Sequence, residues 1–138
     1  MGSPFVLLEL TDRMLHGCVI VQARGDVDFG SAPDLHRRLS AILTSRAPAV
    51  VLDLSRLMFL DCAGLEVLVT ASRRAASQGT GLALAAPRPT VTRLLGITGL
   101  DRHFTIFPTV AKAVTATRRN GAAPARGRGA MCKTWPGG

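Results

Sequence analysis

Apolar residues recur along this chain at two spacings, about every second residue and about every 3.6 residues. Phe5-Val-Leu-Leu-Glu-Leu10 predicts a first strand. Thr11-Asp12-Arg13 predicts a turn, and Leu15 to Ala23, rich in β-branched residues, a second strand ended by Gly25 and joined to the first as a hairpin. Ser31-Ala32-Pro33-Asp34 predicts a helix start, with Ser31 as N-cap, Asp34 three residues on and Pro33 tolerated in the first turn. Leu35, Leu39, Ile42 and Leu43 then fall on one helical face, and Pro48 marks the exit.

Ala49-Val-Val-Leu-Asp-Leu54 is a short, nearly continuous apolar run, which predicts a strand covered on both faces. Ser55 to Asp61 reads as a loop. Gly64 opens a second helix, with Leu65, Leu68, Val69, Ala75 and Ala76 inward and Arg73 and Arg74 outward. Gly79-Thr80-Gly81 ends it before a strand over Leu82 to Ala86. Thr90 to Leu95 predicts a short helix, Phe104 to Phe107 a last strand, and Pro108 to Thr117 a last helix. This order predicts an α/β fold: a mixed sheet of four to five strands, mainly parallel after the hairpin, with about four helices packed on it.

Composition narrows the picture. The 138 residues suit one domain with one core. The net charge of +8 is unevenly spread. Residues 1–117 hold 12 Lys/Arg against 9 Asp/Glu, whereas residues 118–138 hold 5 Lys/Arg and no acid. The expected organisation is therefore a domain over 5–117 and a basic, disordered tail over 118–138. Basicity that sits mostly on a tail, without interleaved aromatics, speaks against direct nucleic-acid binding by the domain. No apolar run approaches the roughly 20 residues of a membrane span, and the N-terminus lacks a basic n-region. Cys18, Cys62 and Cys132 form no metal-ligand or disulfide pattern, which suits a reducing cytoplasm. His16, His36 and His103 share no metal spacing, and no nucleophile elbow, phosphate loop or zinc motif is present. The expectation is a binding protein rather than an enzyme, without cofactor or metal.

Four motifs stand in order. They are Gly25-Asp26-Val27-Asp28, Ser31-Ala32-Pro33-Asp34-Leu35, Leu52-Asp53-Leu54-Ser55 through Asp61-Cys62-Ala63-Gly64-Leu65, and Gly81–Ala86 followed by Pro89–Leu95 and Thr98-Gly99-Leu100. Together they resemble the STAS domain of bacterial anti-sigma factor antagonists, over about residues 5–117. The resemblance implies the STAS fold and a protein partner, an anti-sigma factor related to serine kinases, whose capture frees a sigma factor. It places the partner-binding surface at Asp28, Asp61, Cys62, Ala63, Gly64 and Leu65.

In the family, a Ser or Thr just before the helix glycine accepts a phosphate from that kinase. A phosphate there would meet free N–H groups of the helix and add about −1.5 to −2 charges to the surface. This chain has Ala63 at that position and Cys62 before it, neither with a hydroxyl. The usual phosphorylation site is expected to be absent, and Ser55 is not an evident substitute. Cys62 invites a redox reading, since a thiol at a helix N-terminus can be reactive. The negative Asp61 beside it opposes thiolate formation, so a small packed residue in place of serine is the simpler reading.

Asp61 has a structural alternative as an N-cap, and Asp28 one as a loop acid. For the whole protein, the alternative is a STAS subunit or scaffold of a larger assembly, such as a lipid-transport or stress-sensing complex. A third is a small nucleotide-binding module. Oligomeric state and the identity of the sigma factor are open at this point.

Overall fold

The computed structural model describes residues 8–121, with side chains as far as Thr117. Five strands form one sheet in sequential order: β1 (Leu8–Leu15), β2 (Cys18–Val27), β3 (Ala49–Leu60), β4 (Gly81–Ala85) and β5 (Ile106–Phe107). β1 and β2 are antiparallel, and β2 through β5 are parallel. The crossovers are α1 (Ala32–Thr44), α2 (Cys62–Ser77) and α3 (Pro89–Thr98), the last followed by a 3₁₀ turn at Leu100–Arg102. A final helix, α4, spans Val110–Gly121. The expected mixed sheet with four helices is the fold observed.

The hairpin differs in register from the sequence expectation. Thr11-Asp12-Arg13 lies inside β1, opposite Gln22, Val21 and Ile20. The turn is His16-Gly17, whose φ values of +50° and +84° suit the tight two-residue hairpin connection. Polar residues suit β1 because it is an edge strand with much of its length exposed. Gly25 does not end β2, which runs on to Val27.

The larger difference is in β3. Ser55 to Leu60, read as a loop, continues the strand. Its pairing with β2 shifts register twice, between Gln22 and Arg24 and between Gly25 and Asp26. Each shift gives β3 one extra residue, as at a bulge. Leu54, Leu57 and Leu60 therefore reach the core at every third position instead of every second. Ser55-Arg56 and Met58-Phe59 are left between them, less buried or exposed. At the first shift the Ser55 N–H donates to Asp53 Oδ1 at 3.0 Å, while Gln22 Nε2 donates to Asp53 Oδ2 at 3.0 Å. A carboxylate only 5% exposed is thus satisfied and holds the bulge.

The two faces of the sheet carry separate apolar clusters. The larger joins Val21, Ala23, Val50, Leu52 and Leu84 to Leu35, Leu39 and Leu43 of α1, Leu65 and Leu68 of α2, and Val91 and Leu95 of α3. The smaller joins Cys18, Ile20, Ala49, Val51, Ala83 and Ala85 to Ala113 and Val114 of α4. On α2 the inward set is Leu65, Leu68, Ala71 and Ala75. Val69 is half-buried and Ala76 exposed, which differs from the expected stripe by part of a turn. Residues 5–7 of the expected domain and the tail beyond 121 lie outside the described residues. Among the described residues, no helix is long and apolar enough to cross a membrane.

Candidate partner-binding site

The carboxyl ends of β2 and β3 lie side by side, with Val27 opposite Leu60. The chain leaves β2 into a short loop toward α1, and leaves β3 directly into α2. Asp61 links these two exits. Its backbone N–H donates to the Val27 carbonyl at 3.1 Å, which prolongs the β2–β3 pairing by one bond. Its side chain is the N-cap of α2: Oδ1 accepts from the backbone N–H groups of Ala63 at 2.9 Å and Gly64 at 3.1 Å. Oδ2 accepts from the backbone N–H of Phe29 at 3.1 Å. One carboxylate thus satisfies helix donors and ties the β2–α1 loop beside the helix start.

The loop has its own internal fastening. Asp28 Oδ1 accepts from the Ser31 backbone N–H at 3.0 Å and from Ser31 Oγ at 3.2 Å. Ser31 Oγ in turn accepts from the Asp28 N–H at 2.9 Å and lies 2.8 Å from the Asp26 carbonyl. The expected capping box is not formed. Ser31 makes no side-chain cap bond to the helix, because its hydroxyl is engaged by Asp26 and Asp28. Asp34 pairs instead with Arg37. The bond from the Ser31 backbone N–H holds the Asp28 carboxyl below its ordinary value of 3.8.

The two exits are also packed closely. A Cβ added at Gly64 would lie 2.4 Å from Leu60 Cδ1 and 2.7 Å from Val27 Cγ1. Any larger residue would have to displace these side chains where α2 crosses the strand ends, and α2 begins at Cys62 rather than at Gly64 as expected.

The six residues singled out in the sequence thus gather at one end of the sheet, in different roles. Asp28 and Cys62 are exposed, and Asp61 and Ala63 are half-buried. Gly64 and Leu65 are buried, so they seat the helix beneath the surface. Cys62 and Cys18 are free thiols, one exposed and one buried. Phe29 was not among the expected residues, yet it is 83% exposed beside the Asp61 cap. Met58 and Phe59 are also largely exposed near the end of β3. The available signal for Phe29 was an aromatic residue in a Val-Asp-Phe-Gly turn, where burial is difficult to arrange.

The arrangement offers a rigid, partly apolar rim around a helix start whose first donors are already occupied. The STAS domain family model matches residues 10–113. The anti-sigma-F factor antagonist RsfB of Mycobacterium tuberculosis is 27% identical over 103 residues, covering 75% of this chain and 84% of that protein. Among solved structures, an anti-sigma factor antagonist from Mycobacterium paratuberculosis superimposes with a TM-score of 0.77 at 30% identity, covering 86% of this chain and 99% of that one. Unphosphorylated SpoIIAA, an anti-sigma factor antagonist, shares the fold with a TM-score of 0.69 at 18% identity, over 80% of this chain and 97% of that one.

Proposed function

The chain belongs to the STAS domain family, and from that premise we propose that it is a regulatory binding protein of the anti-sigma factor antagonist type. Its partner is a kinase-like anti-sigma factor, which it captures so that a sigma factor is released. The supporting observation is the match to antagonists along most of their own length, such as 84% of RsfB and 99% of the Mycobacterium paratuberculosis protein. Those matches favour an antagonist over a STAS subunit of a lipid-transport or stress-sensing assembly. A binding role without catalysis and a cytoplasmic setting accompany this reading.

The docking surface in this reading is the rim formed by Asp28, Phe29, Asp61, Cys62 and Ala63, with Gly64 and Leu65 holding it from below. Asp61 supports it by fixing the loop and the helix start as one unit, so that little ordering remains to be done on docking. Ala63 stands where the family's phosphoacceptor is expected, so the surface stays competent for binding without a phosphate switch at that position.

Affinity purification of the tagged full chain from its source cell tests the proposal. An anti-sigma factor recovered with the wild type and lost with Asp61→Ala supports it. A transporter ATPase as the specific partner would refute it in favour of the assembly subunit.

A further inference from the structure

The two edges of the sheet differ in length. β5 has two residues and β1 has eight. Among the described residues, no strand lies outside β1. Its two-residue turn makes Leu15 and Cys18 the first hydrogen-bonded pair of the hairpin, and such pairs alternate along an antiparallel ladder. Glu9, Thr11, Arg13 and Leu15 therefore turn their backbone groups toward β2, and Leu8, Leu10, Asp12 and Met14 turn theirs outward. The Leu10 carbonyl accordingly meets Arg38 of α1, whose Nη1 donates to it at 3.5 Å. A row of outward N–H and C=O groups is a template for a further strand.

The side chains along this edge select the strand that fits. Residues opposite one another in a ladder share a face. Glu9, Thr11 and Arg13 stand opposite Arg24, Gln22 and Ile20, on the α4 side. Leu8, Leu10, Asp12 and Met14 stand opposite Gly25, Ala23, Val21 and Val19, on the α1 side. A second β1, antiparallel and related by a two-fold axis normal to the sheet, matches both faces when the axis passes through a residue of each copy. Centring that axis on Thr11 sets Glu9 against Arg13 twice, Leu8 against Met14 twice, and Thr11 against itself. Each is a favourable cross-strand pair. Leu10 then meets Asp12, whose carboxylate is already neutralised by Arg38. Centring the axis on Asp12 or Arg13 sets like charges face to face. Centring it on Leu10 leaves Arg13 and Met14 beyond the described start of the other β1.

We propose that this edge joins a second copy of the chain, β1 to β1, in the register centred on Thr11. Strand addition supplies backbone hydrogen bonds from the outward groups of Leu8, Leu10, Asp12 and Met14, and the side-chain pairs fix the register. Met14 is 64% exposed, and Leu8 and Leu10 border an open groove of about 390 Å³ with Arg37, Arg38 and Ala41 of α1. In the joined edge, Met14 of one copy lies beside Leu8 of the other, on the side of that groove. The edge charges repel a strand of another pattern and accept this one. No residue of the docking rim lies on β1, so the seam does not depend on the proposed partner.

Sedimentation velocity of the full chain, run from low to high micromolar concentration, tests the proposal. The wild type is expected to pass from monomer to dimer. Glu9→Arg and Arg13→Glu each set like charges opposite one another at both places along the seam, and each weakens dimerisation about tenfold. Both positions are exposed, and the Glu9–Arg24 pair lost in the first variant is weak, so both variants keep the native far-UV spectrum. Mixed in equal amounts, the two variants bring opposite charges together again at both places, and the mixed dimer returns to wild-type affinity. A chain that stays monomeric throughout overturns the proposal. So does a dimer indifferent to both substitutions, or one that the mixture fails to restore, since its seam would lie elsewhere.

Discussion

Asp61 and Phe29, 32 positions apart in sequence, are joined by a 3.1 Å hydrogen bond from the Phe29 backbone N–H to the oxygen of Asp61 that does not cap α2. The helix start and the β2–α1 loop are therefore positioned by the same carboxylate. Asp61→Ala removes the cap and the loop tether together. The cap alone is worth about 1 kcal/mol, up to about 2. Burial of Leu65 and Leu68 in the same helix contributes about 1.5–3 kcal/mol each, so the helix survives. Urea unfolding is expected to show a loss of about 1–2 kcal/mol with a native far-UV spectrum. Hydrogen exchange at the Phe29, Ala63 and Gly64 amides is expected to accelerate together. Asp61→Asn keeps an acceptor at the cap and loses less. Exchange that speeds up only at Ala63 and Gly64 would separate the loop from the cap and contradict this account.

Gly64 tests the packing of the same junction. Gly64→Ala places a methyl group against Leu60 and Val27 at distances that contacts do not tolerate. Overpacking of this kind costs about 1–3 kcal/mol. Val27→Ala removes the Cγ1 that would clash, so the double variant is expected to lose less than the sum of the two single losses. Chemical denaturation of the four proteins measures the coupling, and simple additivity would show that the clash is relieved elsewhere.

Much of this architecture was legible in the residues, and the misreadings have identifiable physical causes. Ala49–Leu54 and the α1 stripe were legible because both faces of β3 and one face of α1 are filled by apolar side chains. Ser55–Leu60 was not, because two bulges change the core period from two residues to three, and a period of three resembles neither strand nor helix. Thr11-Asp12-Arg13 carries turn-forming residue types but occupies an edge strand, where exposure makes them harmless. Asp61 was recognisable as a cap from its place before the helix. Its second bond to Phe29 is a tertiary contact between two chain exits, and no local pattern encodes it.

The Asp28 carboxyl titrates below its ordinary value of 3.8 because the Ser31 N–H favours its charged form. A depressed folded value means that the native state releases this proton more readily than the unfolded chain. The stabilisation is therefore present above 3.8 and is lost as pH falls through the lower, folded value. The stability difference between the wild type and Asp28→Asn is expected to be flat near neutrality and to shrink below 3.8. Parallel denaturation curves across that window measure it, and a difference that grows on acidification would reverse the sign argued here.

Ala63 predicts a missing modification. Incubated with ATP and an antagonist-directed serine kinase, the wild type is expected to keep its intact mass. Ala63→Ser restores a hydroxyl at the usual position and is expected to take up one phosphate. The Asp61 carboxylate already occupies the Ala63 and Gly64 N–H groups, so the added charge of about −1.5 to −2 meets a negative neighbour and weakens docking. Peptide mapping decides the matter: a phosphate between Ser55 and Leu65 in the wild type contradicts the prediction.

Phe29 separates docking from folding. Its ring is 83% exposed, so removing it sacrifices little buried surface, and Phe29→Ala is expected to unfold within about 0.5 kcal/mol of the wild type. Its backbone N–H remains to bond Asp61, so the loop keeps its position. An exposed aromatic on a fixed loop is the kind of side chain that anchors interfaces, where truncation often costs 2 kcal/mol or more, roughly thirtyfold in affinity. Titration calorimetry with the co-purified anti-sigma factor is therefore expected to show at least about tenfold weaker binding for Phe29→Ala. Ile97→Ala, at another exposed apolar position on α3, controls for general loss of surface hydrophobicity and is expected to bind like the wild type. Equal affinity of Phe29→Ala and the wild type would move the docking surface away from the Asp61 rim, even if the partner proved to be an anti-sigma factor.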